Sequence, residues 1–152
     1  MIETRAYLID YCRDINIVSW EYQNLSGTDR IQITNLSFEC SIDFEDRFSN
    51  YNMIIIAGSV QVKTLTNILE NNYINHFCKD ITDDLIKNRT SITDIVRIEG
   101  VENKETYNIF KEKSERWMLR NLDLDIVLDL ISERGMNKLR EVDIKFLKNY
   151  GK

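Results

Sequence analysis

The stretch that decides the fold is Leu36-Ser37-Phe38-Glu39-Cys40-Ser41-Ile42-Asp43-Phe44-Glu45. Apolar and polar residues alternate through it, and the side chains of a β-strand point to opposite faces in turn. It therefore predicts a strand whose buried face is formed by Leu36, Phe38, Cys40, Ile42 and Phe44. The other face carries Ser37, Glu39, Ser41, Asp43 and Glu45. We expect that face to be a solvated acidic stripe, with Asp46 beside it.

Length and composition predict one domain over residues 1–152. Of the 152 residues, 43% are hydrophobic and 30% are charged, which is enough apolar material for a core. The longest apolar run, residues 53–57, is too short to cross a bilayer, and the first residues lack the pattern of a secretory signal. Cys12, Cys40 and Cys78 are odd in number and far apart, which predicts reduced, buried thiols. We therefore expect a cytoplasmic protein.

The net charge of −5 is unevenly distributed along the chain. Residues 1–62 hold nine acids and four arginines without a lysine, whereas residues 63–152 hold sixteen acids and sixteen bases. An acidic surface repels the phosphate backbone of nucleic acids and attracts basic proteins. We therefore expect a basic protein partner, and neither a nucleic acid nor a membrane.

The hydrophobic patterns divide the chain into a mainly β part (1–62), a mixed, mainly α part (63–121) and a helical hairpin (122–152). Alternating or continuous apolar runs predict strands over residues 6–12, 15–22, 30–34, 36–45, 53–62 and 92–101. Helical spacing predicts helices over residues 65–77, 81–88 with Thr82 as N-cap, and 104–120. The apolar phase changes near Asn35, which indicates a bulge or turn there. The predicted fold class is α+β, with a mainly antiparallel sheet of four to six strands covered on one face by helices.

The predicted hairpin is also the place of a family resemblance. Apolar stripes run over residues 124–131 and 139–150, with Gly135 between them as a helix C-cap. The string Leu124-Asp125, Leu128-Asp129, Ile131-Ser132, Gly135 and Leu139, then Asp143 and Leu147, resembles a short helical-hairpin tail found at the end of various Bacteroidetes proteins, including some rhomboid-like ones. Lys138-Leu139-Arg140 stands where that tail usually has Ser-Leu-Thr. The resemblance covers about the last 25 residues and implies a source lineage and a packing unit, without an activity. No family is recognised for residues 1–120.

The candidate interaction surface combines acids and aromatic residues: Glu39, Asp43, Glu45, Asp46, Trp20 and Tyr22. Trp20 and Tyr22 share one face of a predicted strand, and aromatic side chains with a polar tip are common at interfaces. Carboxylates spaced along one strand diverge, whereas a hard cation needs several oxygens that converge. We therefore expect neither a metal nor another cofactor.

Two patterns that suggest catalysis are weak. Asp43 with Gln61 and Lys63 is similar to the acid, acid-or-glutamine and lysine set of restriction-type nucleases, in which carboxylates hold a metal ion. The second acid is a glutamine here, and the acidic chain is a poor binder of duplexes. His76 is placed two residues from Cys78 on a predicted helix, where the two side chains point apart. No catalytic residue is predicted, and we expect the chain not to be an enzyme.

Three functional classes remain open. The first is a small acidic binding protein, such as an immunity protein, an antitoxin or a phage-type inhibitor, that engages a basic partner protein. The second is a bacterial accessory or regulatory domain, homo-oligomeric through exposed strand edges or through Trp20 and Tyr22. The third is a cryptic metal-dependent, nuclease-like enzyme. The sequence leaves the oligomeric state open.

Overall fold

An antiparallel sheet forms the centre of the structure, a computed structural model that describes residues 3–11, 25–48, 50–88, 90–96 and 104–152. The strands described are β1 (Arg5–Asp10), β2 (Cys40–Glu45), β3 (Tyr51–Ala57) and β4 (Phe77–Asp80). Their order is β2-β3-β1-β4, so β2 and β4 are the edges of the sheet. The predicted fold class is confirmed: an N-terminal antiparallel sheet packs against C-terminal helices.

Helices make up most of the second half. Those described are α1 (Gly27–Thr34), α2 (Ser59–Asn71), α3 (Thr82–Ile86), α4 (Ile92–Ile95), α5 (Lys104–Asn121), α6 (Leu124–Arg134) and α7 (Glu141–Asn149). The predicted hairpin is present as α6 and α7, joined through a 3-10 turn at Met136–Lys138. Gly135 ends α6 with a φ of +83° and donates its amide N–H to the Ile131 carbonyl oxygen at 2.8 Å. That backbone conformation favours glycine, as predicted for the C-cap. No helix in the described ranges is both long and apolar enough to span a bilayer.

The central strand β3 is buried on both of its faces. Ile54 and Ile56 of β3 join the larger core with Ile42, beneath side chains from α3 to α7. Ile55 points to the opposite face and packs with Leu65 of α2 in a second core. A strand with apolar residues at successive positions fits this central place between two layers. The prediction that helices cover only one face is therefore wrong, because α2 covers the other.

Two short stretches predicted as strands are helices. Residues 30–34 belong to α1, where the Ser26 hydroxyl accepts a hydrogen bond from the Asp29 amide at 3.1 Å. Residues 92–95 form α4, where Ser91 and Asp94 make a capping box. In both places the caps satisfy the first amides of a helix, and they outweigh a brief alternation of apolar residues. Residues 97–101 of the second prediction, and the predicted strand over 15–22, lie outside the described residues.

The boundaries around α2 also differ from the prediction. The strand predicted over 53–62 ends at Ala57, and α2 begins at Ser59. The helix predicted over 65–77 ends at Asn71, and β4 was not predicted. All four residues of β4 are exposed, so the alternation that reveals most strands is missing. Thr82 is the first residue of α3 and not its N-cap, and its hydroxyl accepts a hydrogen bond from the Ala6 amide at 2.9 Å.

His76 and the cysteines are distributed differently from the prediction. His76 follows α2 and lies outside any helix, with its Nδ1 2.9 Å from the carbonyl oxygen of Ile74. Cys40 is buried as predicted, but Cys78 on β4 is exposed. Cys12 lies outside the described residues. A buried thiol is thus confirmed for Cys40 and wrong for Cys78, because β4 is exposed at all four of its positions.

Candidate functional site

The alternation of side chains between the two faces of the strand is interrupted at Glu39, and this interruption determines which acids share a face. From Cys40 to Glu45 the alternation is as predicted, with Ser41, Asp43 and Glu45 exposed. Just before β2 the Glu39 amide donates to the Ile56 carbonyl oxygen at 2.8 Å, although Cys40 is the register partner of Ile56. Glu39 and Cys40 therefore both lie opposite Ile56, as the two residues of a β-bulge lie opposite one residue of the neighbouring strand.

The bulge moves the start of the stretch to the other core. Leu36 and Phe38 pack against the core beneath α2, whereas Cys40 and Ile42 belong to the core beneath α5. The prediction that all five apolar residues share one face is therefore wrong for Leu36 and Phe38. The extra residue shifts the side chains before it to the opposite face.

Glu39 is a structural residue rather than part of a free acidic stripe. Its carboxylate accepts a hydrogen bond from the Thr4 hydroxyl at 3.0 Å and pairs with the Arg120 guanidinium of α5. These contacts fasten α5 and the start of β1 to the beginning of β2. The prediction that Glu39 faces solvent together with Asp43 is wrong, because the bulge directs Glu39 toward Arg120.

Asp46 closes the turn between β2 and β3. Its Oδ1 accepts hydrogen bonds from the amides of Phe48 at 2.8 Å and Asn50 at 3.0 Å. An aspartate that bonds to nearby backbone amides in this way is a common turn residue. Its charge lies next to β2, as predicted, but its carboxylate is engaged by the backbone.

Asp43 and Glu45 remain as the acidic part of the site. Both are exposed, they lie two residues apart on β2, and within the described part of the chain neither forms an ion pair. Although the Asp43 side chain reaches solvent, the atoms packed around its carboxylate remove part of its hydration and raise its pKa to about 7. Its charge lies close to the phenol of Tyr11, whose pKa is raised well above the ordinary value by burial and, to a lesser extent, by Asp43. A cation placed against Asp43 would favour its ionised form.

Asp43→Asn is expected to stabilise the protein at pH 8 and to change its stability little at pH 4. The folded-state pKa of Asp43 is about 7, whereas an unfolded aspartate titrates near 3.9. Between these values the folded state binds more protons, so the wild-type protein loses stability as the pH rises from about 4 to about 7. Asparagine has no proton to lose. Because the residue is partly exposed, screening limits the gain to about 1 kcal/mol.

Urea unfolding of both proteins at the two pH values measures this difference. Asp129→Asn on α6 makes the same change at another exposed aspartate and is the matched control. A gain from Asp43→Asn that is the same at pH 4 and pH 8 would contradict the raised pKa.

Trp20 and Tyr22, the aromatic members of the predicted surface, lie outside the described residues. Their part in an interface therefore stays a prediction. The structure brings together Asp43 and Glu45 and separates Glu39 and Asp46 from them through the bulge and the turn.

The sequence did not indicate a cleft that lies at the start of β2. It has a volume of about 260 Å³ and is bounded by Phe38 to Ser41 on one side and by Ile109 and Lys113 of α5 on the other. Ile109 is 49% exposed, although its neighbour Phe110 is buried. Burial raises the pKa of the Cys40 thiol to about 12, so this thiol is unreactive near neutrality. An isoleucine off the apolar stripe of α5 is the signal that could have revealed the cleft.

A second cavity, of about 210 Å³, lies between α4, α5 and α7. Several of its polar side chains are engaged within the fold. Arg140 bonds to Asp143 and to the carbonyl oxygens of Leu85 and Thr90, and Lys145 holds Glu115 at 3.2 Å. We therefore assign these groups to the packing of α7 rather than to a ligand.

The nuclease pattern does not have the strand placement that it requires. Gln61 lies in α2, and its Oε1 accepts a hydrogen bond from the Ser37 amide at 3.0 Å. The strand predicted over residues 53–62 would have placed Gln61 near a strand end, but the strand stops at Ala57. Across the described ranges, no three His, Cys, Asp or Glu side chains gather in a metal-binding arrangement.

No protein-family model matches this chain, and neither a curated protein nor a solved structure matches it.

Proposed function

We propose that this protein is a small, acidic, cytoplasmic inhibitor of the immunity-protein or antitoxin kind, which binds a basic partner protein through the outward face of β2. The observation that carries the proposal is the pair Asp43 and Glu45, exposed on an edge strand without an ion pair among the described residues. Charged side chains at a rim steer a partner of opposite charge and accelerate its capture.

Several acids elsewhere in the fold are already paired with cations. Asp80 pairs with Arg5 at 2.5 Å, and Glu115 pairs with Lys145 at 3.2 Å. The excess of negative charge also belongs to residues 1–62, which include β2. Asp43 and Glu45 thus combine three features that favour a basic protein: a place in the more acidic part of the chain, a position on a sheet edge, and no ion pair among the described residues.

Charge reversal on β2 is expected to abolish binding. The partner to be tested is the basic protein encoded beside this protein's gene, where an inhibitor and its target are commonly encoded. Asp43→Lys with Glu45→Lys is expected to weaken the complex by at least about 100-fold, because attraction becomes repulsion at the contact. Asp125→Lys with Asp129→Lys on α6 is the matched control: it changes the net charge equally at exposed positions and is expected to weaken the complex far less. Isothermal titration calorimetry measures both.

Salt dependence gives a second readout of the same complex. The affinity is expected to fall steeply between about 50 and about 500 mM salt, because salt screens exposed charges. Equal losses from the two charge reversals, or an affinity unchanged by salt, would overturn the proposal.

Self-association through β4 is the second candidate. Phe77 is 71% exposed, the nearby Tyr73 is 94% exposed, and β4 is an edge of the sheet. Open strand edges are templates for pairing with another chain, but short length and charges such as Lys79 and Asp80 oppose such pairing. We therefore rank the basic partner first. Light scattering separates the candidates, because only self-association gives a dimer mass without a partner.

A further inference from the structure

We propose that the partner contributes an extended basic segment that adds to β2 as a new antiparallel strand, with one apolar side chain in the cleft between β2 and α5. This inference rests on the proposed function and specifies how the partner is held. It combines three observations on the described residues: an edge of β2 that pairs with none of them, two acids without an ion pair along that edge, and a cleft at one end of it.

The open edge supplies the backbone contacts. Among the described residues β2 pairs with β3 alone, so alternate N–H and C=O groups of β2 point away from the sheet. An extended peptide that adds to such an edge satisfies these groups and gains affinity from main-chain hydrogen bonds. Antiparallel addition continues the pattern of the existing sheet.

The cleft supplies an anchor for one side chain. Its volume of about 260 Å³ exceeds that of an apolar cavity of about 150 Å³ that holds benzene, so an aliphatic or aromatic side chain fits. Cys40 faces the core beneath α5, and a partner residue opposite Cys40 would point to the same side. Ile109 would then pack against that side chain.

The register gives a sequence pattern for the partner. Partner residues opposite Asp43 and Glu45 point to the face opposite the cleft, because side chains alternate along a strand. An antiparallel segment passes Glu45 first, then Asp43 and then Cys40. The pattern, read from the N-terminus, is therefore basic, any residue, basic, any two residues, apolar.

A labelled peptide tests the pattern directly. The probe carries Lys-Thr-Lys-Thr-Thr-Leu between capped threonines, and the control has the same composition with both lysines and the leucine on one face. Fluorescence anisotropy with the full chain is expected to show at least tenfold tighter binding of the probe. Nuclear magnetic resonance is expected to show shifts of the amides of Ser41 to Glu45, with those of β4 unchanged.

Backbone methylation distinguishes strand addition from simple charge attraction. N-methyl groups on one set of alternate amides of the probe remove the hydrogen bonds to β2, whereas the other set points away from it. We expect one methylated peptide to lose binding at least tenfold more than the other. Equal losses from both sets would contradict pairing with the edge.

The cleft has its own matched pair of variants. Ile109→Glu is expected to weaken probe binding at least tenfold, and Leu128→Glu on α6 is expected to leave it unchanged. The two residues are 49% and 47% exposed, so the fold tolerates both changes alike. If both variants change probe binding equally, the cleft is not part of the binding site.

The possible failures are distinguishable. Strand addition is overturned if probe and control bind equally, or if neither binds at millimolar concentration. The proposed function survives that result if the complex with the basic partner protein still weakens on reversal of Asp43 and Glu45. If reversal weakens neither the complex nor peptide binding, both proposals fail.

Discussion

Asp143→Ala is expected to lower the free energy of unfolding by about 3–5 kcal/mol, as removal of one member of a buried ion pair does. Asp143 is fully buried, and its carboxylate accepts hydrogen bonds from the Arg140 amide at 2.9 Å, from Nε at 3.1 Å and from Nη2 at 3.1 Å. Alanine would leave the guanidinium buried without a counter-charge, and α7 without its capping box. Urea unfolding monitored by circular dichroism measures the loss.

The control for this prediction is Asp129→Ala, an exposed aspartate of α6, whose effect is expected to stay within about 0.5 kcal/mol. Replacing both partners by Arg140→Met with Asp143→Leu is expected to cost less than the sum of the single changes, because no buried charge remains. A cost remains, since Arg140 Nη1 also donates to the Leu85 carbonyl oxygen at 2.6 Å. A loss below about 1 kcal/mol from Asp143→Ala would contradict the assignment of a buried pair.

Trp117→Ala is expected to cost a similar amount, about 3–5 kcal/mol, because it opens a large cavity beneath the sheet. The side chain is completely buried in the larger core, and its indole Nε1–H donates to the Thr4 carbonyl oxygen at 3.1 Å. The same side chain thus fills the core and joins α5 to the start of β1. Chemical denaturation measures the total loss.

Trp117→Phe separates the two contributions. Phenylalanine keeps much of the apolar contact but leaves the Thr4 carbonyl oxygen without its donor, and its expected cost is about 1–3 kcal/mol. Ile109→Ala on the exposed side of α5 is the matched change, with an expected cost of less than about 1 kcal/mol. If Trp117→Ala costs no more than Ile109→Ala, Trp117 is not a core residue.

The predictable parts of the fold are those in which one apolar pattern decides the structure. The apolar stripe from Tyr107 to Met118 predicted α5, because a buried helix face repeats apolar residues at helical spacing. Gly135 predicted the end of α6, because a positive φ favours glycine. The elements that were not predicted have no apolar pattern of this kind. α1 contains no buried residue, and β4 is exposed at every position, so their formation depends on caps and on pairing with β1.

The candidate site was predictable only in part. The alternation identified Asp43 and Glu45 as solvent-facing residues, because successive side chains of β2 point to opposite faces. It placed Glu39 on the same face, since nothing in the sequence marks a bulge at which two residues oppose Ile56. The cleft beside Ile109 depends on how α5 approaches β2, which is a matter of packing between distant parts of the chain.

The strand order has a consequence for protein synthesis. β1 is translated first among the described strands, yet it lies between β3 and β4, which follow much later in the chain. β2 and β3 are joined by residues 46–50 and can pair with each other soon after they leave the ribosome. The nascent β1, which contains Ala6 and Ile9, stays unpaired until β3 and β4 have been synthesised. The speed of translation between β1 and β4 therefore sets how long an apolar strand is available to chaperones or to other nascent chains.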